Sequence, residues 1–297
     1  IGDEEGEVSA LERAFAAFTG ARYALAVASG GYAMGCALRA VGVGHGDLVL
    51  SNGFTLAPVP GAIASVGAVP VFVETTPSLT IDIDDLAHKA VSSGAKVLLL
   101  SHMRGHICDM DRLMAVAQEN GILVIEDCAH TMGAAWCGVP SGRHGVIGCY
   151  STQTYKHMNS GEGGLIVSDD PDVMARAIML SGSYMLYERH SVGPSGDRFE
   201  KVKYDTPNVS GRMDHLRAAI LRPQLADLPA QVARWNALYR CVEEGLRNTP
   251  GLQVIERPPQ ESIVGSSIQF LLPDWSPDAV RALIKACAAR GVELKWF

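Results

Sequence analysis

Lys156 closes the run Ser151-Thr152-Gln153-Thr154-Tyr155-Lys156, and a glycine-rich return, Gly161-Glu162-Gly163-Gly164, follows it. Upstream, Ile125-Glu126-Asp127-Cys128-Ala129-His130 sets an acid at the end of an apolar stretch. A lysine amine whose pKa is lowered condenses with a carbonyl and afterwards shuttles a proton. A carboxylate opposite a heteroaromatic nitrogen keeps that nitrogen protonated, which makes the ring an electron sink. A serine hydroxyl and the N–H groups of a helix N-terminus together hold a phosphate dianion. An acid on one strand end, a Ser and a Lys on a second, and a glycine return thus describe a cradle for pyridoxal phosphate (PLP). In it Lys156 holds the cofactor as a Schiff base and Asp127 bonds to the pyridinium nitrogen.

Each residue alone has a plainer reading. A lysine after a strand is ordinarily a solvated charge, an aspartate there is an ordinary helix N-cap, and a single histidine is often a core residue. It is the combination of Asp127, His130 and Lys156 in this order that favours chemistry. His102 and His106 have a spacing that would share a helical face, as zinc ligands do, but Gly105 and the strand ending at Ser101 argue against a helix, so no metal is expected. The Gly161-Glu162-Gly163-Gly164 run precedes a strand instead of opening a helix after one, so it is not a dinucleotide fingerprint.

The elements that must position these residues are legible from periodicity. Short runs rich in Val, Ile and Leu alternate with amphipathic stretches of helical length, which argues for parallel strands joined by crossover helices. Strands are expected at Leu48–Ser51, Val69–Val73, Ala95–Ser101, Ile122–Glu126, Ile147–Ser151 and Gly164–Ser168. Helices are expected near Gly31–Val41, Leu56–Val66, Asp82–Val91 and Asp109–Asn120, several opened by Asp and closed by Gly. The fold class is α/β, and such sheets bind ligands at the carboxyl ends of their strands. Residues 189–205 read as a mobile loop. From Met213 the texture becomes helical to Leu246, and a break around Pro250, Pro258 and Pro259 leads to a strand-like Ser266–Leu272 and a helix at Pro277–Arg290.

The chain has 297 residues, 47% of them hydrophobic, and a net charge of -7. That supports a large core and excludes the basic footprint of a nucleic-acid binder. There is no signal peptide and no apolar run long enough to span a bilayer, so a soluble, cytoplasmic protein without membrane partners is expected. The seven scattered cysteines form no CxxC pair, in keeping with a reduced compartment. The chain opens on Ile1 and stops at Trp296-Phe297 after a strand-like stretch, so its last unit is expected to be small or cut short.

Over nearly the whole chain the sequence resembles the DegT/StrS-type sugar aminotransferases, within the fold-type-I PLP enzymes. The resemblance runs through Ser29-Gly30-Gly31, Gly67-Ala68-Val69-Pro70, His102 to Asp111, Glu126-Asp127 to Ala134, Ser151 to Gly164, Arg212-Met213, and Gln224-Leu225. It implies a three-layer αβα domain with a mainly parallel sheet over 1–212, connecting helices over 213–248 and a smaller α+β domain, truncated, over 249–297. It implies that His130 stands near the pyridoxal hydroxyl and that Ser151, Gly30 and Gly31 hold the phosphate, with Gln153 on the active-site face. Three positions depart from the family pattern. Gly31 replaces a Thr, Leu56 replaces a ring-stacking aromatic for which Phe54 could substitute, and Ser210 replaces an Asn that a partner subunit supplies.

The activity implied is transfer of an amino group from an amino acid, Glu or Gln, to a keto-sugar, nucleotide-sugar or cyclitol, by a homodimer with shared active sites. Two other readings stay open. One is a PLP-dependent lyase or dehydratase, against which Lys156 speaks because family dehydratases carry His at that position, and His157 lies one residue out of register. The other is a non-catalytic PLP-binding regulatory protein, for which no helix-turn-helix or basic face is present.

Overall fold

The apolar runs of the sequence become the strands of one large sheet. The computed structural model describes residues 6–183, 187, 190 and 192–296. Its strands are β1 (Tyr23–Val27), β2 (Leu48–Asn52), β3 (Val69–Val73), β4 (Val97–Ser101), β5 (Leu123–Asp127), β6 (Ala135–Trp136), β7 (Val139–Pro140), β8 (Ile147–Ser151), β9 (Gly164–Ser168), β10 (Gln253–Val254), β11 (Glu261–Ser262) and β12 (Phe270–Leu271). The sheet order is β1-β9-β8-β5-β4-β2-β3. From β3 to β8 all neighbours are parallel, while β9 runs antiparallel to both β8 and β1. The sheet is therefore mainly parallel with one reversed member. The reversal follows from the connection: residues 152–163 contain no crossover helix, which a parallel return would need.

The helices are α1 (Glu7–Thr19), α2 (Gly30–Ala40), α3 (Pro58–Ser65), α4 (Ile83–Ser93), α5 (Met110–Asn120), α6 (Pro171–Ser181), α7 (Gly196–Glu200), α8 (His215–Arg247) and α9 (Pro277–Ala288). Asp82, Asp109 and Asp170 cap α4, α5 and α6 by accepting first-turn N–H groups, and left-handed Gly94, Gly121 and Gly182 end them. On one face of the sheet Val97, Leu99 and Ile125 pack with residues of α2, α3 and α6. On the other, Leu98, Leu100 and Val124 pack with α4 and α5, while Ala24, Ala26 and Tyr150 pack with α1 and α8. This alternation makes the three layers.

The helical texture read from Met213 to Leu246 is one helix, α8, which carries Pro223 and Pro229 because Leu221, Leu225 and Leu228 are buried with Leu11 and Phe15 of α1 and packing outweighs the broken backbone bonds. Two other stretches differ from the sequence reading. The strand-like Ser266–Leu272 shortens to β12, which pairs with β10, while β11 pairs with β6 of the large unit. Within 189–205, residues 189 and 191 lie outside the described residues, and α7 forms with Phe199 stacked on Tyr187 at 4.5 Å. None of the described helices is long and apolar enough to cross a membrane.

Candidate active site

Asp127 ends β5, in register with Ser101 of β4 and Cys149 of β8. Its Oδ2 accepts the Ser101 hydroxyl at 2.9 Å and its Oδ1 the Ala129 amide at 3.1 Å. Burial raises its pKa, and the Ala129 amide, the Ser101 hydroxyl and the Lys156 charge offset this only in part. A cationic N–H placed opposite such a carboxyl would favour its anionic form.

The preceding residue, Glu126, alternates to the other side of the strand and is fully buried. It accepts the amides of Gly142 at 2.8 Å, His144 at 2.8 Å and Gly145 at 2.7 Å, and pairs with His102 Nε2 at 3.0 Å. Burial alone would raise its pKa, but the His102 hydrogen bond and charge and the Gly145 amide outweigh it and hold the carboxyl below its ordinary value. Sequence reasoning gave Glu126 no role, although strand alternation shows that only one of two adjacent acids can face a cavity. His102, Glu126 and Cys128 bring possible metal-ligating atoms within 4.8 Å of one another. Those atoms already serve protein partners, Cys128 Sγ taking the Ser141 hydroxyl at 3.2 Å. His106 turns elsewhere, to Gln269 at 2.8 Å and Arg257 at 2.7 Å, so the two histidines do not converge.

Lys156 sits on the loop between β8 and β9. Its Nζ is 2.9 Å from His130 Nε2, and His130 Nδ1 accepts the Arg104 amide at 3.3 Å. Burial lowers the Lys156 pKa, Asp127 opposes this and Arg104 reinforces it. His157 faces away, bonding Ser266 Oγ at 2.9 Å with its ring 5.5 Å from that of Trp235. Lys156, not His157, faces the cavity.

The other end of the cavity is the N-terminus of α2. Ser29 caps it, its hydroxyl accepting the Tyr32 amide at 3.0 Å. Gly30 and Gly31 open the helix, where the partial positive charge of the dipole favours an anion. A Cβ on Gly30 would lie 2.7 Å from Ser151 Cβ, so glycine is what lets the helix start and the Ser151 hydroxyl share one concave surface.

These groups line one cavity of about 440 Å³, which brings together Gly30, Gly31, Leu56, Asp127, His130, Ser151, Gln153 and Lys156. It does not include Phe54 or Ser210. Phe54 is held outside by its own backbone, whose N–H donates to Thr75 Oγ1 at 3.2 Å and whose carbonyl accepts Asn52 Nδ2 at 3.0 Å; the rim position falls to Leu56. Ser210 lies exposed before α8 with φ 46°, its hydroxyl 3.2 Å from Asn208 Oδ1. The sequence reading missed Ser101, Met103, Cys149 and Glu162 as lining residues. Ser101 was visible only as a strand-end position and Cys149 only as a mid-strand residue of the Ile147–Ser151 run. An anion-binding helix end, a carboxylate at the opposite wall and an amine between them fit a phosphorylated pyridine aldehyde such as PLP.

The sequence model of the DegT/DnrJ/EryC1/StrS aminotransferase family matches residues 3–297. The chain is 34% identical over 225 residues to the L-glutamine:scyllo-inosose aminotransferase of Streptomyces griseus, covering 74% of this chain and 52% of that protein. It is 36% identical over 246 residues to the 3-amino-5-hydroxybenzoate synthase of Amycolatopsis mediterranei, covering 80% of this chain and 60% of that one. The chain thus spans between half and two thirds of the length of these relatives. The crystal structure of DesV from S. venezuelae superposes with a TM-score of 0.84 at 30% identity, over 98% of this chain and 74% of that one.

Proposed function

From the premise that this chain belongs to the DegT/DnrJ/EryC1/StrS aminotransferase family, we propose that it transfers an amino group from glutamine or glutamate to a keto group on a cyclitol or sugar, with PLP held at Lys156. The observation that carries the reading is the convergence of Lys156, Asp127 and the α2 N-terminus on one cavity. Bound PLP supplies a carbonyl for the donor amine and a ring that accepts electrons when the donor Cα–H bond breaks. Asp127 would hold a proton on the ring nitrogen. Ser151 and the Gly30 and Gly31 amides would hold the phosphate dianion, with Leu56 at the rim beside the ring. Lys156 would hold the cofactor through Nζ and, as a neutral amine, move a proton at the donor Cα. His130 would orient that amine beside the pyridoxal hydroxyl.

The hydroxylated, cyclic acceptor is argued from the relatives, which include an inosose aminotransferase. We read the working form as a cytoplasmic homodimer in which Ser210 reaches the partner's phosphate cup. The test is a half-reaction: the chain, PLP and L-glutamine without any keto acceptor. Pyridoxamine phosphate detected by mass is the expected product. Release of a keto acid or alkene with PLP unchanged would assign lyase chemistry instead.

A further inference from the structure

The geometry points to Gln224, on α8, as a positioning residue for the Lys156 amine, acting by clasping the backbone of the loop that carries the lysine. The inference rests on the reading of Lys156 as the PLP-bearing lysine. Residues 152–163 have no regular secondary structure, so the position of Lys156 depends on what holds the loop: Met158 is buried among residues of α1 and α8, and the backbone beyond it needs a polar partner. Gln224 supplies that partner. Its Oε1 accepts the Asn159 N–H at 2.9 Å and its Nε2 donates to the Asn159 carbonyl at 2.8 Å. One side-chain amide thereby makes both bonds that a neighbouring strand would make, fixing the orientation of that backbone segment as well as its position. The same Nε2 donates to the Ile220 carbonyl at 2.9 Å, which anchors the amide to its own helix.

The support continues along α8. Trp235 lies about three turns beyond Gln224 and so on the same helix face, and its ring is 5.5 Å from His157. Asn236 holds the Ile263 carbonyl at 2.8 Å and the Gly265 amide at 2.7 Å, placing Ser266 to bond His157. Lys156 is therefore bracketed at His157 and Asn159 by one helix, which does not itself line the cavity. Within the loop, Ser160 N–H donates to the Thr152 carbonyl at 3.0 Å and Thr154 N–H to the Gly161 carbonyl at 3.1 Å, so a displacement at Asn159 is passed to the segment between them. The charged and titratable groups around the amine are His130, Asp127 and Arg104, with His157 turned away but close enough to feel its charge, and a slackened loop moves Nζ away from them and toward water.

The experiment compares the parent chain with Gln224→Met, which keeps the length and removes both bonds, and Gln224→Glu, which keeps the acceptor for Asn159 N–H and loses the donor. Two readouts are taken: hydrogen exchange at the Asn159 amide without PLP, and the pH dependence of borohydride-trapped PLP on Lys156. In Gln224→Met, loss of the clasp speeds Asn159 exchange on the order of tenfold and moves the trapping midpoint upward, toward a solvated lysine, with Gln224→Glu in between. A role in general stability alone would lower the melting temperature and leave the midpoint in place. Unchanged exchange at Asn159, or faster exchange with an unmoved midpoint, overturns the inference by itself. Should Gln224→Met not fold, the intermediate shift of Gln224→Glu decides. A parent chain that traps no PLP on Lys156 overturns the underlying functional reading and this one with it.

Discussion

The Lys156 amine lies 2.9 Å from Nε2 of His130. His130 Nδ1 accepts the Arg104 N–H, which can only donate, so in the neutral ring the proton is on Nε2. Nε2–H then points at the lone pair of Lys156, which only an uncharged amine offers. Burial pushes both groups the same way, taking the His130 pKa down to about 3 and lowering that of Lys156. Geometry and desolvation thus both favour the uncharged form of the amine.

Borohydride reduction of the PLP-loaded chain is expected to fix the cofactor on Lys156, with half-maximal trapping at a pH below the ordinary lysine value of 10.5. Removing the neighbouring cation in Arg104→Met relieves part of the downward shift, so the midpoint moves up. Peptide mapping across a pH series checks both. An adduct on another lysine would remove the basis of the proposed chemistry.

Asp127→Asn keeps the shape of the carboxylate and removes its charge. The ring nitrogen then loses its proton, and donor conversion to pyridoxamine phosphate should fall on the order of a hundredfold or more with the fold intact. Circular dichroism and single-turnover kinetics on the same sample separate the two effects. Turnover within a few-fold of the parent would reduce Asp127 to a structural acceptor for Ser101 and Ala129.

Glu126 makes a different prediction, because its role is in the fold. Its pKa is held below the ordinary 4.5, so its stabilisation is fully present above that value and is lost as pH falls through the depressed one. Glu126→Gln puts an NH₂ group against amide donors and should cost about 3–5 kcal/mol at pH 7, the usual penalty for breaking a buried charged network. Urea titrations at pH 7 and near pH 4 test the sign, since the gap between parent and variant must narrow in acid. A gap that stays constant with pH would contradict the assignment.

The two adjacent glycines at the phosphate end should respond oppositely. A Cβ on Gly31 meets nothing nearer than Ser29 Oγ at 3.9 Å, so Gly31→Thr has room for a hydroxyl. One charge-assisted hydrogen bond, worth roughly 1.5–3 kcal/mol, would tighten PLP about tenfold or more. A Cβ on Gly30 falls 2.7 Å from Ser151 Cβ, so Gly30→Ala should loosen PLP by displacing that serine. Equilibrium dialysis of PLP against both variants decides, and equal effects would place the phosphate elsewhere.

Much of this was legible in the residues. Ile147–Ser151 and Gly164–Ser168 match β8 and β9 to the residue, because apolar runs bounded by polar turns leave few alternatives. Asp127, His130 and Lys156 fall in one cavity because strand ends of a parallel sheet share an edge. What the sequence hid was tertiary. The helical stretch from Met213 to Leu246 was legible, but that α8 tolerates Pro223 and Pro229 rests on its buried leucines packing against α1. The clasp of Gln224 on Asn159 joins residues far apart in sequence, and no local pattern announces it. Phe54 could stand in for the missing aromatic by spacing alone, and only the Asn52 and Thr75 bonds show why Leu56 takes the rim.

Ser210 gives the last prediction, about assembly. It stands exposed at φ 46°, a left-handed conformation that Asn tolerates better than Ser because its side-chain amide bonds locally to the backbone. Ser210→Asn should therefore leave the chain at least as stable as the parent. If two copies share their sites, the longer amide also reaches the partner's phosphate and tightens PLP by about tenfold, again the value of one charge-assisted bond. That gain exists only in the dimer. Dilution below the dimer constant should release PLP from parent and variant alike and abolish the difference between them. Light scattering and PLP fluorescence over a dilution series follow both quantities together. A monomer that keeps its PLP on dilution, or a variant whose advantage survives dissociation, would confine Ser210 to its own turn beside Asn208.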